Sequence, residues 1–246
     1  MDNATSITLS RLVAQSRSMD VIAGNLANMS TPGYRAERVV FADWLAPQKG
    51  AGIPRGDSQL AFTQDRATYR DRAEGTLTQT GNPLDIALSG DGYFTVATPN
   101  GTRLTRAGRF TLQADGTISD AAGNALLDVN NQKLSVAPSD TVLTISADGA
   151  ISSQNGPIGK IAVVTPSDPN RMTAEGGRLL RADVPTTPVA TPKLVQGAVE
   201  DSNVQPTAEL VRMMSTEREF QFATQFAEAE GQREQSAIDK IAGPVS

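Results

Sequence analysis

The 246-residue chain contains no cysteine and no histidine. Their absence excludes disulfide frameworks, thiolate zinc sites, Cys or His nucleophile and base dyads, haem ligation and histidine pH switches. Any catalysis would have to run on carboxylates, Lys, Tyr, Ser and Thr. Aromatic residues make up only 4% of the chain, which favours turns and thin cores. A net charge of −5 and a pI near 4.9 exclude a broad basic surface for nucleic acid. No stretch approaches the roughly 18 apolar residues that span a bilayer, and the N-terminus has neither a basic leader nor an apolar signal core. The expectation is a soluble protein, or one exported by a route that leaves no cleavable signal.

Two helical patterns bracket the rest of the chain. The first, expected over 3–29, carries an apolar heptad stripe at Leu9, Leu12, Ser16, Met19, Ala23 and Leu26, alternating steps of three and four. Asn25 and Asn28 compete for backbone partners, Pro32 disfavours helix at Thr31, and Gly33 permits a positive φ, so the helix turns into a loop after Met29. Its Thr and Ser content makes it a marginal helix in isolation. An ordinary amphipathic core helix would show the same stripe. The second pattern runs from Thr207, a candidate cap, to about Ile241. Leu210, Met213, Met214, Phe220, Phe222 and Phe226 give it a wide apolar face, with Glu217 and Thr224 interrupting one candidate seam.

Between them, 36–75 reads as an extended linker bearing Val39-Val40-Phe41, Trp44 and a Gly/Pro stretch from Pro47 to Gly56. Residues 76–195 are β-rich, with short strands divided by Asn-Gly and Asp-Gly turn signals. Ala114-Asp115-Gly116-Thr117-Ile118-Ser119 returns as Ala147-Asp148-Gly149-Ala150-Ile151-Ser152, a duplicated hairpin rather than a solenoid. The fold class is α+β: a coiled-coil-like core domain from residues 1–35 and 200–246 brackets an antiparallel β-rich outer domain.

At this point the order of several blocks becomes specific. They are Met19-Asp20-Val21-Ile22-Ala23-Gly24-Asn25-Leu26-Ala27-Asn28 with Ser30-Thr31-Pro32-Gly33-Tyr34; Leu84-Asp85-Ile86-Ala87-Leu88 with Gly90-Asp91-Gly92-Tyr93-Phe94; Thr105-Arg106-Ala107-Gly108; and Gln196-Gly197, Ser202-Asn203-Val204 and Glu209-Leu210-Val211. Over almost its whole length the chain resembles the bacterial flagellar basal-body rod protein family, its proximal rod members more than its distal rod or hook members. Gly24 stands where that family usually carries Asn, and residues 2–6 lack the aromatic often seen near the start.

The resemblance implies a non-enzymatic structural subunit of the flagellum, exported by the flagellar type III apparatus and folding on assembly. It also implies a location in the rod crossing the periplasm, with other rod subunits and further copies of itself as partners. The terminal helices would form the tubular core and the β-rich part would face outward. No cofactor, nucleic acid or membrane span is implied.

Other readings attach to single residues. Asp85, Asp91, Asp115, Asp120 and Asp148 could suggest a glycosidase pair, but most sit in Asp-Gly turns or at strand ends, where Asp serves the local backbone. Asp115 to Asp120 lacks the alternating ligands and distant Glu of a calcium loop. Gly90-Asp91-Gly92 opens a strand, so it is no phosphate cradle. Arg103, Arg106 and Arg109 could form a basic stripe, a solvated face or inter-subunit ion pairs. A competing class is a β-rich surface-binding module on helical stalks, against which the scarcity of aromatics for sugar stacking speaks.

Overall fold

A computed structural model describes residues 2–47, 59–176 and 178–242. The chain divides into two compact units, the first made of 1–27, 37–69 and 205–246, the second of 28–36 and 70–204.

In the first unit, α1 (Asp2–Ala27) and α2 (Pro206–Ala242) pack together. Asn25 meets Glu209 and Gln15 meets Glu219, so ten residues backward along one helix are ten forward along the other and the pair is antiparallel. α2 opens on Pro206 rather than on a Thr207 cap, with Gln205 O accepting the first helical bond from Glu209 N. Proline suits that position because its missing N–H would have no partner there anyway. The expected linker is different in kind. Over it run two paired strands, β1 (Glu37–Pro47) and β2 (Gln59–Arg70). Their content of Val, Phe, Thr and Tyr favours pleated backbone, a signal the Gly/Pro stretch between them obscured. The packing expected of the Trp44 side chain and most of that Gly/Pro stretch lie outside the described residues.

The second unit is antiparallel β throughout its described pairings. β3 (Leu77–Gln79) pairs with β18 (Ala198–Glu200), and β4 (Ile86–Ser89) with β17 (Lys193–Gln196). The largest sheet holds β5 (Tyr93–Thr98), β6 (Gly101–Thr105), β7 (Phe110–Leu112), β8 (Ile118–Asp120), β9 (Ala125–Leu126), β13 (Val163–Pro166), β14 (Met172–Glu175), β15 (Leu179–Ala182) and β16 (Thr186–Pro188). Its main path runs β14-β15-β6-β5-β9-β8-β7. A further sheet orders β10 (Leu143–Ile145), β11 (Ala150–Ser153) and β12 (Gly156–Lys160).

The duplicated hairpin is present. Asp115-Gly116 closes β7 on β8 and Asp148-Gly149 closes β10 on β11, each Gly at positive φ (82° and 91°). The same backbone bonds recur, Gly116 N to Gln113 O and Gly149 N to Ser146 O.

Alternation along these strands sends Ile86, Leu88, Phe94, Val96, Phe110, Ile118, Leu126, Ile151 and Ile161 into one core. Phe94 and Phe110 meet edge to face, 5.5 Å between centroids. Each such side chain contributes about 1.5–3 kcal/mol on burial, so this core can hold the β unit without help from disulfides.

Candidate assembly face and its buried polar anchors

The helix pair carries a heptad seam, in a different register from the one read off the sequence. On α2 the buried or half-buried positions include Glu209, Met213, Thr216, Phe220, Ala223, Ala227 and Glu230, stepping four and three, with Ala208 and Thr224 half-buried beside this line. On α1 they include Thr8, Leu12, Gln15, Met19, Ile22 and Leu26. Leu12, Met19 and Leu26 therefore fall where expected, whereas Leu9, Ser16 and Ala23 sit one position off the seam and are exposed. The sequence pattern favoured Leu9 because Thr8 and Gln15 are polar. Gln15 tolerates the seam by donating from Nε2 to Glu219 Oε2 at 3.3 Å.

Most of the large apolar residues expected on the α2 face point away from this seam. Met213 and Phe220 are half-buried. Leu210, Met214, Phe222 and Phe226 are exposed, Phe222 by 71%. With Leu9, Val13 and Val211 they leave a broad apolar surface on the paired helices. Monomeric soluble proteins seldom carry so much exposed apolar surface without a partner.

Asn25 anchors the end of α1. It has no exposed surface, and its amide closes both backbone groups of Glu37: Nδ2 donates to Glu37 O at 2.9 Å and Glu37 N donates to Oδ1 at 2.8 Å. Nδ2 also reaches Glu209 Oε2 at 3.3 Å. Glu209, equally buried, accepts from Arg38 Nη1 at 2.7 Å and from Arg212 Nη1 at 2.9 Å. Only an amide offers donor and acceptor side by side in this way. A carboxylate on α2 is thus held between two cations, within reach of the residue that ends α1.

In the second unit, Thr31 N donates to Asn28 O and Tyr34 N to Thr31 O across the Pro32-Gly33 turn. Gly33 takes φ 69° and donates to Glu200 O at 2.7 Å. A Cβ there would stand 2.4 Å from the Arg106 carbonyl, so the turn requires glycine on two counts.

Glu200 joins two buried guanidinium groups. Arg35 Nη2 lies 3.5 Å from Oε1, and Arg106 Nε lies 2.9 Å from Oε2, close enough for an ion pair but off the N–H direction. Arg106 Nη1 donates to Gly90 O and Gly92 O at 2.8 Å each, and its Cζ sits 5.9 Å from the Tyr93 ring centroid. Burial, and then the neighbouring Arg35, push the Arg106 pKa down, while Glu200 opposes the shift.

Beside this cluster, Asn203 Oδ1 accepts from Ala36 N at 2.7 Å while Nδ2 donates to Ala73 O at 2.8 Å. The segments 33–36 and 200–203 are thereby stitched together. Several blocks that looked like motifs in the sequence, Pro32-Gly33, Gly90-Asp91-Gly92, Thr105-Arg106 and Ser202-Asn203, prove to be parts of this one arrangement. Arg35 and Glu200, its other charged members, gave no signal in the sequence, where a lone Arg and a lone Glu are ordinary surface residues.

Arg103, Arg106 and Arg109 form neither a basic stripe nor one solvated face, and two of them are paired within the chain. Arg103 is buried, with Nε 2.6 Å from Glu175 Oε2; Arg106 is buried with Glu200; Arg109 alone of the three is exposed. Strand alternation does not place the three alike, because Arg106 and Arg109 lie around the corner between β6 and β7. The acidic residues serve backbone and neighbours. Asp85 is buried and accepts from Thr80 Oγ1 and Asn82 Nδ2; Asp120 accepts from the N–H groups of Ala122 and Asn124. Bonds from Thr117 hold the Asp115 carboxyl below its usual range, and a bond from Ser146 does the same for Asp148. A groove of about 440 Å³ opens on the β unit beside Thr95, Leu104, Val163 and Pro188, and among the described residues Lys160 is its only charged lining residue.

This arrangement defines a class: an α+β protein whose first and last segments pair as helices and whose middle is a self-contained β unit with its own buried polar cluster. Three stretches match described families: residues 7–35 the flagella basal body rod protein family, 87–153 the flagellar hook protein FlgE/F/G D1 domain, and 195–240 the flagellar basal body rod FlgEFG protein C-terminal region. The chain is 31% identical over 243 residues to the flagellar basal-body rod protein FlgF of Caulobacter vibrioides, covering 98% of each. It is 32% identical over 225 residues to FlgF of Mesorhizobium japonicum, covering 90% of each. To the flagellar basal-body rod protein FlgG of Bacillus subtilis it is 30% identical, over 82% of this chain and 85% of that one. The chain belongs to the flagellar basal-body rod protein family.

Proposed function

We infer that this protein is a structural, non-catalytic subunit of the flagellar basal-body rod, in its proximal part. It is exported through the flagellar type III apparatus, crosses the periplasm as part of the rod, and completes its folding there against other rod subunits and copies of itself. The observation that carries this reading is the apolar surface left open on the helix pair, at Leu9, Val13, Leu210, Met214, Phe222 and Phe226. Covering each of these side chains contributes about 1.5–3 kcal/mol, enough together to offset the ordering of marginal helices. The seam residues named from the sequence divide accordingly. Leu12, Met19, Leu26, Met213 and Phe220 steady the subunit, and the exposed ones face neighbours.

The proximal position is supported by similarity to FlgF chains over 98% and 90% of this protein. A distal position has its own support in the match to FlgG, over a smaller share.

The test places Asp at Leu9 and Phe222, both exposed, in a strain lacking its own copy. The expected outcome is a chain secreted at normal level that is missing from purified basal bodies, with loss of motility. Incorporation at wild-type level would refute the assembly role of this face.

A further inference from the structure

The β unit uses one kind of turn twice, in two different surroundings. β5 and β6 are joined by the loop Pro99-Asn100, with Thr98 opposite Gly101; β11 and β12 are joined by Gln154-Asn155, with Ser153 opposite Gly156. These are the two Asn-Gly pairs of the chain. Both asparagines are exposed, and both glycines take positive φ, 99° and 138°. In such a pair the glycine nitrogen and the asparagine side-chain carbonyl carbon can close on each other as a cyclic imide. Glycine has no Cβ to shield that nitrogen.

The two side-chain amides are held very differently. Asn155 Nδ2 donates to Asp140 Oδ1 at 2.6 Å and to Ser139 O at 3.5 Å, and its backbone N donates to Ser153 Oγ at 3.1 Å. A bond from an amide to a carboxylate is one of the stronger hydrogen bonds, and ring closure onto Gly156 N has to give it up. Among the described residues no hydrogen bond holds the Asn100 side chain. The contacts of its loop run through the backbone, with Arg103 Nη1 donating to Asn100 O at 3.0 Å and Thr98 Oγ1 to Gly101 O at 2.7 Å. A Cβ built on Gly101 would meet only Arg103 Nη1 within 4 Å, at 3.6 Å, so little crowds the approach.

The three Asp-Gly pairs, at 91, 115 and 148, present carboxylates instead. These are ionised at neutral pH and resist attack by a nucleophile. Two of them are also occupied, Asp115 accepting from Thr117 N and Asp148 from Ser146 Oγ.

We propose that Asn100 is a self-modifying residue, converted after folding to aspartate and isoaspartate by attack of Gly101 N, while Asn155 is protected by Asp140. The Gly101 N–Cγ bond forms, the Cγ–Nδ2 bond breaks, and ammonia leaves with the Gly101 amide proton. Water then opens the imide. Addition at Cγ restores the backbone and leaves aspartate; addition at the backbone carbonyl leaves isoaspartate. Either product sets a negative charge on the β5–β6 hairpin beside Arg103, and isoaspartate also lengthens the backbone between Thr98 and Gly101 by one carbon. The extent of conversion grows from the time of synthesis, so residue 100 records the age of the chain. This inference stands apart from the rod-subunit reading.

The experiment incubates purified full-length chain in mildly alkaline buffer made with heavy-oxygen water, then digests it in ordinary water and follows each site by mass spectrometry, with fragmentation that separates aspartate from isoaspartate. The expected result is labelled product at residue 100 forming at least about tenfold faster than at residue 155, the factor that one hydrogen bond to a charged group is worth. Asp140→Ala should raise conversion at Asn155 and narrow the gap, and in urea the two sites should convert at similar rates. Conversion at Asn100 no faster than at Asn155 in the folded chain overturns the proposal. A gap that survives both Asp140→Ala and urea undiminished overturns it as well, since the difference would then owe nothing to the fold.

Discussion

Glu200→Gln changes one charge in the β unit and almost nothing else. The two side chains have nearly the same volume, so no cavity opens. Gly75 N, 3.3 Å from Oε1, can still donate to an amide oxygen in that place. What disappears is the carboxylate between Arg35 and Arg106, whose side chains are only 7% and 2% exposed and so cannot turn to water. Removing one partner from such a buried cluster costs about 3–5 kcal/mol. The two guanidinium groups then face each other in a buried site without the carboxylate between them.

For a unit of this size the corresponding fall in midpoint temperature is about 6–20 °C. Thermal unfolding followed by far-ultraviolet circular dichroism measures it, and urea unfolding with amide exchange at Gly33 and Phe94 gives the free-energy difference. Arg181→Gln serves as the comparison. Its partners Glu175 and Asp183 are on the surface, so its loss costs below about 1 kcal/mol and shrinks further with salt. A Glu200→Gln penalty no larger than that of Arg181→Gln would refute the reasoning that this cluster anchors the turn.

Other outcomes follow from the same geometry. Asn25→Asp is expected to destabilise the helix pair more than Asn25→Ala, since it sets a second buried carboxylate beside Glu209; acidification should relieve the Asp variant and not the Ala variant, as read by helix amide exchange. Gly108→Ala should prevent soluble expression or cost several kcal/mol (about 3 or more), because its Cβ would stand 1.8 Å from Ile86 O, a strand carbonyl with no room to move. Asp115, Asp140, Asp148 and Asp183 all have carboxyl pKa values held down by hydrogen bonds, from Thr117, Asn155, Ser146 and Thr173 first. Their contribution is complete above the unfolded carboxylate value near 4 and is lost as pH falls through the lower folded values. Urea midpoints should therefore drop on the acid side, and Asp115→Asn should flatten that limb.

The parts of the fold that a sequence can disclose are those fixed by local chemistry. The Pro32-Gly33 turn was legible because proline and glycine restrict backbone wherever they occur, and the Asp115-Gly116 and Asp148-Gly149 hairpins for the same reason. The register of the α1 seam was not, since nothing local says that Gln15 faces inward; its partner Glu219 is far along the chain. The strands of 37–70 were hidden by the Gly/Pro stretch between them. The Arg35, Glu200 and Arg106 cluster is set wholly by tertiary contact, and each member alone looks like solvent-facing charge. Asn25 is legible as a helix stop, whereas its tie to Glu37 depends on β1, which no local signal places beside it.

The stitching of 33–36 to 200–203 also has a mechanical meaning. These segments end at two of the β unit's four junctions with the rest of the chain, 36/37 and 204/205, and they are held to each other by Gly33 N to Glu200 O, by Ala36 N to Asn203 Oδ1 and by the Arg35 to Glu200 pair. A pull applied between residues 36 and 204 loads these bonds together and reaches the β core only after they part. Stretched between those two junctions, the β unit should resist as one piece and then yield in a single rupture, rather than peeling strand by strand.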